Sequence, residues 1–314
     1  MGAAELSTVL VWGAATAYAI ALVAFAVDLA RLAERRQRRP VAAEAVVAGD
    51  APSVANGDVV GHPGRAVGIA MATTTLGLGF HLVGTVLRGV AAGRVPWANM
   101  YEFTLMGTLV AVGTFLALTR WRDVRFLGAI VVGLVVIALG LGLTVFYVSA
   151  DGVQPALQSY WLVIHVSIAT VATGLFTVSF ASSALQLLKD ARVSGSARVA
   201  GPRWRLLDAL PDTRDLEALS FRLVAVGFVL WTFTVMAGAI WAEHAWGRYW
   251  GWDPKETWSL VVWLVYAAYL HARTTAGWSG RRAAWFVLVG YATVLFNFTG
   301  VNLFFQGLHS YSGL

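Results

Sequence analysis

Residues 126–149 read FLGAIVVGLVVIALGLGLTVFYVS, 24 consecutive positions without an acidic or basic side chain. A helix needs about 20 mostly apolar residues to cross the hydrocarbon of a bilayer. This stretch therefore places the chain in a membrane, and segments of the same kind flank it. They fall at about 7–30, 66–90, 102–119, 160–188, 219–241, 257–272 and 283–306, the one at 257–272 being short. The expectation is an all-α polytopic membrane protein with about eight transmembrane helices, forming one integral membrane domain over 1–314.

Composition agrees. The chain has 314 residues, 58% hydrophobic and 13% charged, against roughly 25% charged in a soluble domain. Folding at this size buries only about three quarters of the chain's surface, so a soluble enzyme is excluded. There is no cysteine, which excludes disulfides, thiolate metal sites, iron–sulfur ligation and cysteine nucleophiles. Metal chemistry falls to six histidines and a few carboxylates.

The net charge of +6 reads as topology. Of 23 Lys and Arg, 18 lie in the alternate connections 31–65, 120–125, 189–218 and 273–282, and only 4 in the other set. The excess of basic residues marks the cytoplasmic side, which puts both termini and the loop at 242–256 outside the cytoplasm. Nucleic acid is thereby not needed as a partner; the lipid bilayer is. The cytoplasmic loops are 31–65 and 189–218; the first reads as a linker, and His62 within it as an ordinary loop residue.

Six of the 14 Trp fall in 241–263, WAEHAWGRYWGWDPKETWSLVVW. An aromatic belt explains one or two Trp at a helix end, but not Trp246, Trp250 and Trp252 crowded with Tyr249, Gly247 and Gly251. If the loop is helical, Trp246 and Trp250 share a face and suit a planar cofactor; the competing reading is a packed interfacial lid. Asp253-Pro254-Lys255-Glu256 has the N-cap, N1 and N3 residues of a helix start, which is favoured over a catalytic carboxylate pair. Arg248 and Lys255 are left to meet anionic groups.

A histidine in or beside a membrane span is costly and points to function. His165, near the outer end of the fifth span, and His309, just after the eighth, lie on the same side as the Trp-rich loop. Two neutral imidazoles on one face can supply both axial ligands of a haem iron; each alone reads as an interhelical hydrogen bond. His81 lies inside the second span and His271 at the inner end of the seventh, at depths that helix counting separates by very roughly 10–20 Å. His244 reads as a solvated residue.

The stretch 241–273, ending in YLHAR, closely resembles the Trp-rich WWD signature of haem-handling membrane proteins. Its DPKETW continuation is similar to the CcsA/ResC family of System II cytochrome c biogenesis. PWANMYEF (96–103), LQSYWLVIHVS (157–167) and GLHSY (307–311) resemble that family as well. The resemblance implies a Trp-rich extracytoplasmic WWD loop at 241–258, with Trp246, Trp250, Trp252, Asp253 and Arg248 binding haem b. It implies iron ligation by His165 and His309 outside and by a transmembrane pair, His81 and His271. It also implies a haem-transporting and haem-presenting subunit of a cytochrome c synthase (haem lyase) in a bacterial plasma membrane. Its partners would be a CcsB/ResB-type membrane protein and the CXXCH segment of apocytochrome c. A haem exporter or chaperone without a ligation role, and a non-haem transporter, are the alternatives.

Overall fold

The computed structural model describes residues 1–47, 64–150 and 159–309; His62 lies outside the described residues. The helices are α1 (Ala3–Val47), α2 (Arg65–Ala92), α3 (Met100–Trp121), α4 (Gly128–Thr144), α5 (Tyr160–Val193), α6 (Thr213–Trp246), α7 (Pro254–Thr275) and α8 (Arg281–Leu295). The last continues through a π-helical turn, Phe296–Gly300, into a final turn, α9 (Val301–Phe304). No strand occurs among the described residues.

Among the described residues, seven helical stretches are long and apolar enough to cross a membrane. The short span expected at 257–272 belongs to α7, which falls below them in apolarity, because Tyr, Ser, Thr and His interrupt its Leu and Val. At 22 residues it still rises about 33 Å, enough for the roughly 30 Å hydrocarbon core. Its placement shows that it runs the length of the bundle. His309, beyond α9, meets Asp253 at the start of α7, while Gly280, just before α8, meets Glu217 near the start of α6. The chain thus returns through α7 between α6 and α8, which run in the opposite sense. α1 continues to Val47, so the connection expected at 31–65 opens as helix. Its Arg, Glu, Gln and Ala are good helix formers.

The two ends of the bundle match the two sets of connections. At one end the Arg88 guanidinium donates to the Val148 and Ser149 carbonyls. At the other, Arg281 of the 273–282 connection pairs with Asp190 of the 189–218 connection. Inside, α1–α5 share a core around Tyr18, Met100, Tyr101 and Phe115. A second core joins α5–α8 around Phe176, Trp231, Tyr266 and Tyr291. The Phe176 and Tyr266 rings stack at 4.0 Å and 9°. A Cβ on Gly227 of α6 would lie 2.7 Å from the Phe176 ring, so a residue without a side chain lets α5 and α6 close on this stack. Small residues at helix contacts serve packing in this way where lipid offers no hydrophobic drive.

Gly227→Val is expected to destabilise the fold by about 1–3 kcal/mol through overpacking, read as a lower thermal midpoint in detergent. Gly140→Val, where a Cβ meets nothing within 4 Å, serves as the control and leaves the midpoint nearly unchanged.

Candidate functional site

The Trp-rich segment is shorter as a loop than the expected 241–258. α6 ends at Trp246 because Gly247 adopts φ 69°, a left-handed cap, and donates its N–H to the Glu243 carbonyl. α7 begins directly after Asp253, whose Oδ1 accepts from Lys255 N at 3.0 Å. Glu256 Oε2 reaches back to Asp253 N at 3.1 Å and Gly251 N at 2.8 Å. The helix-start reading of Asp253-Pro254-Lys255-Glu256 holds. The conditional reading of Trp246 and Trp250 on one helical face does not, because Gly247 breaks the helix between them.

Asp253 is also the meeting point of the loop and the C-terminal segment. Its Oδ2 accepts from Leu308 N at 2.6 Å and its Oδ1 from His309 Nδ1 at 2.8 Å. Burial alone would raise its carboxyl, but the His309 ring and the Lys255 and Leu308 amides outweigh that and hold it below the usual carboxylate range. An ionised Asp253 only accepts, so His309 Nδ1 is the donor in this contact. His165 arrives at the same chemistry differently. Its Nδ1 donates to the Thr234 carbonyl at 2.8 Å, across a contact opened by Gly238, whose added Cβ would lie 2.7 Å from the ring. Neither Nε2 has a hydrogen-bond partner among the described residues. An Nδ1–H held by a carboxylate or carbonyl, with Nε2 left open, is the usual support of a metal-ligating imidazole.

The two rings are joined through one indole. Trp241, 1% exposed, stacks on His165 at 6.1 Å and 8° and lies 5.3 Å from His309. Trp246 meets His309 edge-on at 4.8 Å and Trp241 at 4.7 Å. Trp97, Leu162 and Val166 close the cluster. The PWANMYEF segment delivers Trp97: Asn99 Oδ1 caps α3 by accepting from Glu102 N at 3.0 Å. Buried Glu102 is held by Arg88 at 2.9 Å and Arg94 at 2.5 Å. Trp250 and Trp252 sit apart as a T-shaped pair at 5.7 Å. Trp252 has φ 58° and is 68% exposed. A bulky residue in the left-handed region stores strain of about 1–3 kcal/mol, a feature that clusters at functional sites.

The cations are less free than the sequence implied. Arg248 pairs with Glu256 at 3.3 Å and lies 5.8 Å from the Trp246 ring centroid. Lys255 turns inward, where Nζ donates to the Asn297 carbonyl in the π turn at 2.6 Å. His244 is exposed and engaged with the Ile240 carbonyl and Glu243, as expected of a solvated residue. The other two histidines are not brought together. His81 is fully buried, with Nδ1 3.4 Å from the Tyr18 hydroxyl. Its Nε2 has no hydrogen-bond partner among the described residues. His271 is exposed on α7. α2 packs on α1 and α3, whereas α7 packs on α6 and α8.

Trp241, Thr234, Gly238 and the Lys255–Asn297 contact were not assigned to the site from sequence. Trp241 was visible only as one member of the Trp run. Thr234 acts through its carbonyl, which no side chain announces.

The family model described as "Cytochrome C assembly protein" matches residues 97–309. A "Cytochrome c biogenesis protein CcsA" from Synechococcus sp. (strain CC9902) is 38% identical over 250 residues, covering 72% of this chain and 81% of that protein. One of the same name from Chlamydomonas reinhardtii is 35% identical over 234 residues, covering 72% and 63%. In fold the chain is similar to a solved "Cytochrome c Heme Lyase CcmF", with TM-score 0.64 and 18% identity over 95% of this chain. This chain spans 47% of that chain's length, and the likeness concerns the fold alone. With the family model covering well over half of its length, the chain belongs to the CcsA family of cytochrome c assembly proteins.

Proposed function

We propose that this protein carries haem b across the membrane and presents it, with His165 and His309 as axial ligands, to the CXXCH segment of apocytochrome c. It works as the membrane subunit of a cytochrome c synthase with a CcsB/ResB-type partner. The observation that carries the reading is the matched state of the two imidazoles. Each has Nδ1 anchored and Nε2 open, and both touch Trp241. Six-coordinate iron bound in the macrocycle plane has two axial positions to fill, and two such nitrogens supply them.

Each residue then has a stated task. Asp253 and Thr234 fix ring orientation and tautomer. Trp246, Trp250 and Trp252 offer apolar faces to the macrocycle, and the strained, exposed Trp252 is poised for a ligand rather than for packing. Arg248 keeps Glu256 neutralised and faces a propionate with its exposed edge. Haem is the substrate, and the reacting groups come from the reactants. Each cysteine S–H adds across a vinyl double bond, sulfur to one carbon and hydrogen to the other, with no net oxidation or reduction. The protein supplies position and ligation, and no side chain of the site serves as nucleophile or general base. The absence of cysteine in this chain removes a competing thiol from that chemistry.

The end of the bundle bearing this site is the one poor in Lys and Arg, which supports an extracytoplasmic position. His81, with an open Nε2 in a buried setting, is competent to ligate during transit. A shared inner site with His271 requires α2 and α7 to approach one another.

Two outcomes are expected. In cells co-expressing a CcsB/ResB partner and an apocytochrome, His165→Ala and His309→Ala each lower covalent haem attachment at least tenfold, read by haem staining of the denatured cytochrome. Attachment unchanged in both variants favours a haem exporter or chaperone without a ligation role. Asp253→Asn retains a good N-cap but removes the charge holding His309. Haem affinity is expected to fall roughly 10–100-fold, the usual loss for the hydrogen-bond partner of a ligating histidine, while the thermal midpoint moves little.

A further inference from the structure

Between α1 and α2 runs an open groove of about 690 Å³, outside the segment shared with the family model. Ile20, Val23 and Val27 of α1 and Ala66 and Ile69 of α2 line it. Ile20, Val23 and Ile69 are each more than half exposed. Along α1 the lining extends from Thr16 to Arg31, about 22 Å of helix rise. That matches one leaflet of a bilayer, whose hydrocarbon half is roughly 15 Å deep before the headgroup region is added.

One end of the groove differs in chemistry from the rest. Arg31 and Arg65 both line it there, on facing helices. Both are exposed, and neither forms a hydrogen bond or ion pair among the described residues. Of the other arginines at this end of the bundle, Arg192, Arg273 and Arg281 pair with Asp208, Glu217 and Asp190, while Arg120, Arg122, Arg198 and Arg282 form no ion pair among the described residues; what distinguishes Arg31 and Arg65 is their place in the groove wall. The sequence after Arg31 adds Arg35, Arg36, Arg38 and Arg39, the density of cations beside a span that recognises anionic lipid. Two like charges held beside a long apolar groove call for a ligand with one anionic head and one extended apolar chain. A haem would find no imidazole or thioether among the lining residues to ligate its iron.

We propose that the α1–α2 groove binds an anionic phospholipid, its acyl chain along Ile20, Val23 and Val27 and its phosphate between Arg31 and Arg65. The site thereby ties the two helices that precede the family segment to lipid of one headgroup class.

The test uses the full chain in detergent, titrated with phosphatidylglycerol or with phosphatidylcholine of identical acyl chains and read by native mass spectrometry. The parent is expected to retain phosphatidylglycerol preferentially. One arginine near an anionic surface is worth about five-fold in binding, so Arg31→Gln with Arg65→Gln is expected to lower that preference by roughly 30-fold. Both positions are exposed, and an unchanged thermal midpoint confirms that the double variant folds. Val23→Trp, which fills the groove and leaves both arginines, is expected to lower retention of both lipids. Equal retention of the two lipids by the parent overturns the proposal. So does a preference that survives the double arginine change, or displacement of phosphatidylglycerol by inorganic phosphate or haemin.

Discussion

The Asp253 carboxylate joins the start of α7 to the C-terminal segment through three contacts. It caps α7 through Lys255 N, draws in the chain beyond α9 through Leu308 N, and fixes His309 through Nδ1. A carboxylate is suited to this because its two oxygens accept several hydrogen bonds while ionised. Without it, His309 would hang from a short segment after the last membrane helix with no fixed bearing on the loop. With it, the ring is set against Trp241 and Trp246. His165 reaches the same indole from α5 by resting on the backbone of α6. The helices bring these groups together, and the two Nδ1 contacts decide which nitrogen each ring offers.

The rest of the bundle serves that alignment by resisting relative movement of α5, α6, α7 and α8. The Phe176–Tyr266 stack closes α5 on α7, against Gly227 of α6. Lys255 holds the Asn297 carbonyl in the π turn, the irregular stretch of α8 immediately before the segment carrying His309. π turns break the regular ladder and free a carbonyl, and they occur often at functional sites. Here the freed acceptor is taken by a lysine from the first turn of α7, which docks the last helix beside the loop.

What could be read from the sequence follows a physical division. Membrane spans depend on apolar length, a local property, so seven of the helices are plain from composition. α7 is the hard one, because Tyr, Ser, Thr and His dilute its apolar residues. The start of α7 was legible because capping chemistry is confined to four successive residues. The break at Gly247 defeated the expected Trp246–Trp250 face, since one glycine in the left-handed region decides whether a helix continues. The Asp253–His309 contact spans 56 positions and the His165–Thr234 contact 69. No local pattern encodes either, and a backbone carbonyl leaves no side-chain signature. The residues of the site were therefore recognisable as types and spacings, while the hydrogen bonds that hold their side chains were not.

The central claim is that His165 and His309 present two open Nε2 atoms to one iron. Electron paramagnetic resonance of the purified, ferric haem-loaded protein tests it most directly. The expected result is a low-spin signal of bis-imidazole ligation that is replaced by a high-spin signal when either His165 or His309 alone is changed to alanine. A low-spin signal that persists in both single variants, or a parent protein that takes up no haem, contradicts it.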